Sequence, residues 1–256
     1  MGNDWGRNEL LSYHITVDSI PPQEFFRQGA NPSLTGLDPA LMHSPLGSTN
    51  VSDDTYRFLS YLDLATNAGQ ETVTDDFARE LLHIVGFEER GYVLRTHHII
   101  PLSICGDIDK VAQTDVCLLD RRSTIFLILQ ENRTVFNTSD PEPPVIAEAI
   151  AAYQQNNLKR ARMGLSTLDT MTVPCITMIG TRPTFYLVPV TQELSDAVIT
   201  GRWPEVETKV LKCVTFVSHG QLSEGMETPE YRRVAFKHMI AFKALAKTQW
   251  EKFLVD

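Results

Sequence analysis

Hydrophobic residues recur along this chain at helical spacing, in short unbroken runs, or with no period, and each pattern predicts a different structure. Helical spacing is clearest in DDFARELLHIVGF, where Phe77, Leu81, Ile84 and Val85 share one side, Glu80 borders it and Gly86 follows as a stop. An earlier helix, DDTYRFLSYLDLAT, has Ser52 as its N-cap and Phe58, Leu59, Leu62 and Leu64 as its apolar side. YVLRTHHIIPLSI reads as a strand that ends in a polar loop at Gly106 and Asp107. TDVCLL (114–119) and TIFLILQ (124–130) are unbroken runs, which predict a buried hairpin joined through residues 120–123.

Asp140 with Pro141, Pro143 and Pro144 then breaks the chain, and Pro144 suits the first turn of a helix over VIAEAIAAYQQNN. PCITMIG and TFYLVPV predict paired strands around Thr181, Arg182 and Pro183, with Gly180 at a turn that needs positive φ. A short helix near 192–199, a strand near 209–217 and a long helix from about 228 follow. Pro21, Pro22, Pro32, Pro39 and Pro45 interrupt any period at the start, so residues 1–50 read as an irregular N-terminal arm. Residues 51–256 then read as one α/β domain, a mixed sheet flanked by helices.

At 256 residues and 43% hydrophobic content, the chain can bury one sizeable core. It has no apolar run of the ~18 residues a membrane span needs, and MGNDWGRNELL lacks the basic-then-apolar order of a secretory signal. The expectation is a soluble intracellular protein, cytoplasmic or nuclear, that does not engage membranes. Cys105, Cys117, Cys175 and Cys213 sit far apart in apolar runs and read as reduced core residues, not zinc ligands.

The net charge of −9 restricts nucleic-acid binding to a local basic patch, because phosphate must be met by cations. Candidates are Arg121 with Arg122, Lys159 with Arg160 and Arg162, and Arg232, Arg233, Lys237, Lys243 and Lys247 on the last helix. Each also has the ordinary reading of a solvated face. Nucleic acid and a second copy of the chain, as a homodimer, are the expected partners.

The chemistry starts from Asp115, an acid at the head of an apolar strand, where burial is costly without a partner or a cation. Glu131 closes the next strand and repeats the anomaly. The two share a face only if the hairpin connection has an odd number of residues, as with Arg121-Arg122-Ser123, or if a bulge shifts the register. Together they would hold Mg²⁺ or Mn²⁺ through oxygen. Arg133 stands where a cation could orient a water, and Glu80 or Glu148 could lend a further polar group from a helix.

No GxSxG elbow, P-loop or Rossmann fingerprint occurs, which removes the main nucleophile and dinucleotide readings. His97 and His98 are adjacent, so on a strand they point to opposite faces and read as packing residues. Tyr153, Phe185 and Tyr186 could stack on bases but read first as core.

The layout of a helix with Glu80, a strand, TDVCLL with Asp115, LILQENR with Glu131 and Arg133, then AEAIAAYQQNN resembles the PD-(D/E)xK, or restriction-endonuclease-like, nucleases. TDVCLLD, LILQENR, DPEPP, AEAIAAYQQNN and ITMIGTRPTFY, spread over about residues 55–245, are also similar to motifs of a group of fungal proteins, a likeness that supplies no activity.

The nuclease resemblance implies a core of helix, three strands, helix and strand, with Asp115 and Glu131 as Mg²⁺ or Mn²⁺ ligands. It further implies Glu80 as auxiliary acid and Gln154 or Gln155 as the polar position of the second helix. With Arg121, Arg122, Lys159 and Arg160 as phosphate contacts, the implied activity is hydrolysis of phosphodiester bonds in DNA or RNA. Arg133 departs from the lysine expected there. A planar guanidinium prefers bidentate pairing, so the alternative expectation is a catalytically silent relative that binds nucleic acid or a protein.

Overall fold

The computed structural model describes residues 2–67, 72–122, 124–132, 140–217 and 224–250. Its centre is a seven-stranded mixed sheet of β1 (Ile15–Ser19), β2 (Tyr92–Ile104), β3 (Asp107–Asp120), β4 (Ile125–Asn132), β5 (Thr170–Ile179), β6 (Arg182–Thr191) and β7 (Thr208–Val214). The strands lie in the order β1-β7-β6-β5-β4-β3-β2. The run β2-β3-β4 is antiparallel, β5 lies parallel to β4 after the crossover helix α6 (Glu142–Arg162), and β5-β6-β7 is antiparallel again.

Each face carries its own core. α4 (Asp53–Asn67), α5 (Thr72–Ile84) and α8 (Pro229–Trp250) cover one, where Phe58, Phe77 and Phe236 pack on Leu118 and Leu129. α6 and α7 (Gln192–Thr200) cover the other, with Ile150 and Val198 near Ile128 and Val188. Ala147, Ala149, Ala151 and Ala152 leave α6 little side-chain bulk against the sheet, and its prolines fall in the first turn, where an amide has no partner to lose. The chain thus builds the mixed α/β sheet flanked by helices that its pattern predicts. Among the described residues no helix is long and apolar enough to cross a membrane.

The first fifty residues are broken by proline as expected, yet they are built into the fold. They form α1 (Arg7–Ser12), α2 (Pro22–Phe25) and α3 (Ala40–His43), and β1 pairs in parallel with β7 at one sheet edge. Trp5 and Leu10 enter one core; Phe25, Phe26, Leu41 and Met42 enter the other. The fully buried Arg232 of α8 fixes this segment through its Nη1, which donates to the carbonyls of Leu41 (3.1 Å) and Ser44 (2.8 Å). Burial pushes the Arg232 pKa down to about 10, so it remains cationic at neutral pH.

Two further expectations are corrected. β3 begins at Asp107, well before TDVCLL, because Cys105 (φ 51°) and Gly106 (φ 78°) make a tight two-residue turn from which β2 and β3 extend as a long hairpin. Cys105 is therefore exposed, whereas Cys117, Cys175 and Cys213 are buried.

The β3–β4 register decides what faces what. Next to the connection Leu119 opposes Ile125, which would set Asp115 in phase with Glu131. One step further Leu118 opposes Leu127, so Phe126 is an extra residue and the phase reverses. Val116 then opposes Leu129, and the next rung would set Asp115 against Gln130. The bulge is held from both faces. Asn156 of α6 accepts from the Ile125 amide (2.9 Å) and donates to its carbonyl (2.9 Å), while Trp250 of α8 donates to the Phe126 carbonyl (2.8 Å).

Candidate functional site

Three of the four amide side chains of α6, those of Gln154, Asn156 and Asn157, each fasten a piece of backbone. Gln154 accepts from the Ser103 amide (2.9 Å) and donates to its carbonyl (3.2 Å); Asn157 does the same for Leu168 at 2.8 and 3.0 Å. With Asn156 on Ile125, AEAIAAYQQNN is largely a set of clamps that register the helix on the sheet. Gln154, expected as the polar group of the second helix, is one of these clamps, and Gln155 is half-buried beside them.

Glu148 is different. It is 0% exposed, and neither carboxylate oxygen has a hydrogen-bond partner among the described residues. Burial, then the nearby charge of Asp115, raise its pKa well above the ordinary carboxylate value. Its field also reaches the thiols of Cys175 on β5 and Cys117 on β3, both raised mainly by burial, the latter to about 12. Glu148 therefore lies over the middle of the sheet, near half-buried Asp115.

Two more buried polar atoms with no hydrogen-bond partner within reach among the described residues occur around Asp115: Oγ1 of Thr114, which precedes it and lies near the Cys117 thiol, and Oε1 of Gln130, which the next rung of the register would set opposite. On its other side the β2–β3 ladder steps from Thr96↔Val116 to His98↔Thr114, passing over His97 and Asp115, and His97 adopts φ 49°. A non-glycine residue in that region costs ~1–3 kcal/mol, so strained backbone coincides with unsatisfied polar groups. The row continues across the sheet. Thr177 on β5 donates to Tyr186 on β6 (3.5 Å), and Lys212 on β7 lies 5.7 Å from the Tyr186 ring and donates to Glu142 at the start of α6 (2.6 Å).

The remaining expected residues are dispersed. Glu80 is buried on the opposite side of the sheet from α6, where its carboxylate accepts from Nε of Arg57 at 2.9 Å. Glu131 is placed in β4, out of phase with Asp115 in the register, and only its backbone is described; Arg133 lies outside the described residues. His97 approaches Asp75 of α5 at 3.5 Å, whereas His98 is desolvated near Arg95 and Lys159, so the pair does point apart. Tyr153, Phe185 and Tyr186 are buried, and Tyr153 spends its hydroxyl on the Leu168 carbonyl (2.6 Å), which leaves them unfit to stack on bases.

The basic candidates also separate. On α8, Arg232 is internal, Lys237 reaches Asn31, and Lys243 and Lys247 pair with Glu89 at 2.9 and 2.7 Å. Lys159 is partly desolvated, close enough to Asp120 and the Cys117 thiol to feel both. Arg121, Arg122 and Arg160 do come together, in a cleft at the turn end of the β3–β4 hairpin. Among the described residues no group of three or more His, Cys, Asp or Glu side chains could hold a metal ion. The orphaned Glu148 carboxylate beside Asp115 nevertheless supplies the oxygen donors that a hard divalent cation prefers.

The chain matches no family model and no curated protein. Fold and site together define a mixed α/β protein whose crossover helix buries an acid with no hydrogen-bond partner among the described residues.

Proposed function

We propose that the protein is a metal-dependent phosphodiesterase of the PD-(D/E)xK type, acting on DNA or RNA. The observation that carries this reading is Glu148, fully buried with no hydrogen-bond partner among the described residues and within the field of Asp115. A second carboxylate whose charge reaches a fully buried one disfavours its charged form, and a cation between them reverses the sign of that interaction. The succession α5, β2, β3, β4, α6, β5 also supports it, since it repeats the helix, three strands, helix and strand that the sequence resemblance implies.

In this reading Asp115 from the sheet and Glu148 from α6 would hold Mg²⁺ or Mn²⁺, while Glu131, which the register sets out of phase with Asp115, drops out of the ligand set. The ion, when bound, lowers the pKa of a water and neutralises charge on the phosphate. Arg133 would orient the attacking water, and the apolar layer around Glu148 would limit access of other waters. Purified protein with Mg²⁺ or Mn²⁺ should cleave at least one of single-stranded DNA, double-stranded DNA or RNA, and Asp115→Ala should abolish cleavage. No cleavage of any form, or full cleavage by Asp115→Ala, overturns the proposal.

Arg133 in place of a lysine favours a second reading, a silent relative that keeps the cation site and binds nucleic acid or a protein without cutting. Mn²⁺ binding that depends on Asp115 and Glu148, with no cleavage under any condition, would select it.

A further inference from the structure

The cleft at the turn end of β3 has a composition unlike the rest of this acidic chain. It encloses about 240 Å³ and gathers Arg90, Arg121, Arg122 and Arg160 from three separate stretches of sequence. None of the four guanidinium groups has an ion-pair partner among the described residues. The acid in their midst, Asp120, is already engaged: its Oδ1 accepts from the backbone amides of Arg122 (2.8 Å) and Thr124 (2.7 Å) and so shapes the turn. Arg160 is held in place because its Nε donates to the Ser166 carbonyl (2.8 Å). Four cations left together in a protein of net charge −9 repel one another unless an anion joins them.

The floor of the cleft is apolar. Phe126 and Met171 are each 1% exposed at its base, and Met163 stands 48% exposed at its rim. Arginine forks are suited to bidentate contact with phosphate oxygens, and a cleft with a few polar groups over an apolar base suits a ligand with a flat hydrophobic part. We infer that this cleft binds a nucleoside phosphate, its arginines taking the phosphate and its floor the base. Asp115 and Asp120 lie ~16 Å apart along β3 at the usual rise per residue, so the cleft is separate from the carboxylates. The inference does not rest on the phosphodiesterase reading, because it requires no metal.

The same chemistry is offered by a free nucleotide and by the phosphorylated end of a strand. Calorimetry on the full chain in EDTA at low salt, with AMP, inorganic phosphate, adenosine and a 5′-phosphorylated oligodeoxyadenylate, tests the site and separates the two. AMP or the oligonucleotide should bind about tenfold or more tighter than phosphate or adenosine alone, since each of these lacks one half of the contacts. Tighter binding of AMP assigns a free nucleotide; tighter binding of the oligonucleotide assigns a strand end. Arg121→Gln with Arg122→Gln, and separately Arg90→Gln, should each weaken binding about tenfold, the effect of losing a charge-assisted hydrogen bond, while Asp115→Asn leaves it unchanged. The inference is overturned if neither nucleotide binds, if phosphate alone binds as tightly, or if both arginine variants retain full affinity. Unaltered cleavage-site properties alongside lost AMP binding would leave the phosphodiesterase reading standing, and the converse holds as well.

Discussion

Among the described residues the two faces of the sheet bury one helix glutamate each, and they treat it in opposite ways. On the α5 face Glu80 meets the Arg57 guanidinium at 2.9 Å, and the pair reaches solvent through Arg57. On the α6 face Glu148 is sealed among alanines and strand residues, with nothing among the described residues to accept from. Burial alone therefore does not mark a site. A buried acid that the fold leaves unsatisfied is a cost to stability, and such costs persist where something other than stability requires the group.

The comparison is tested most severely where the strands are fixed. Asn156→Ala leaves both backbone groups of Ile125 without their partner and opens a small void, which should cost ~2–4 kcal/mol in chemical denaturation. If the bulge then relaxes, the phase of Asp115 changes, and any activity should fall further than stability does. Glu148→Met, similar in length but apolar, should raise stability by ~1–3 kcal/mol, the cost of one unsatisfied buried polar group, while abolishing activity. A destabilised Glu148→Met would mean that Glu148 is satisfied in solution, and the contrast between the faces would fail.

pH sharpens the same contrast. The Glu148 pKa is raised by folding, so the unfolded chain gives up this proton first, and folding becomes less favourable as pH rises through the unfolded glutamate value of ~4.3. The melting temperatures of wild type and Glu148→Met should lie closest below that pH and separate as pH rises toward neutrality. The smallest effect belongs to the other face. Arg57→Ala should cost only ~1 kcal/mol, because Arg57 is half exposed and solvent can replace much of what it gives Glu80. Mn²⁺ joins the two tests: at a hundred times its Kd it should stabilise wild type by ~2.7 kcal/mol, Arg57→Ala to the same extent, and Glu148→Met much less.

Most elements were legible because they obey local rules. Ser52 caps α4 through the Thr55 amide, Gly86 takes φ 82° at the end of α5, and Thr191 caps α7 through Leu194. The parts that escaped depend on distant partners. ITVDS is too short to announce a strand until β7 arrives to pair with it. DIDKVAQ looks like loop because most of its residues face water on the hairpin arm, Ile108 among them at 74% exposure.

The bulge at Phe126 is invisible in TIFLILQ itself. It exists because Asn156 and Trp250, each remote in sequence, satisfy its backbone from opposite sides. Of the site, the anomaly of Asp115 and the marginal placement of Glu148 could be read. That Glu148 would have no partner among the described residues, and that Glu80 would be paired away from it, could not, because both follow from which face each helix covers. The grouping of Arg90 with Arg121, Arg122 and Arg160 was equally hidden, since no window of sequence contains them all.

The edge pairing of β1 with β7 also fixes an order of events in time. Ile15 waits for Thr208, and the carbonyls of Leu41 and Ser44 wait for Arg232. During synthesis Ile15–Ser19 and residues 41–44 precede the surfaces that receive them, because β7 and α8 belong to the final quarter of the chain. Contacts of such high sequence separation make folding slow, and until they close Phe25, which packs on Phe242 of α8, and Leu41 are incompletely covered. A nascent chain halted before β7 should therefore be cut by protease within this segment and be the form most prone to aggregate.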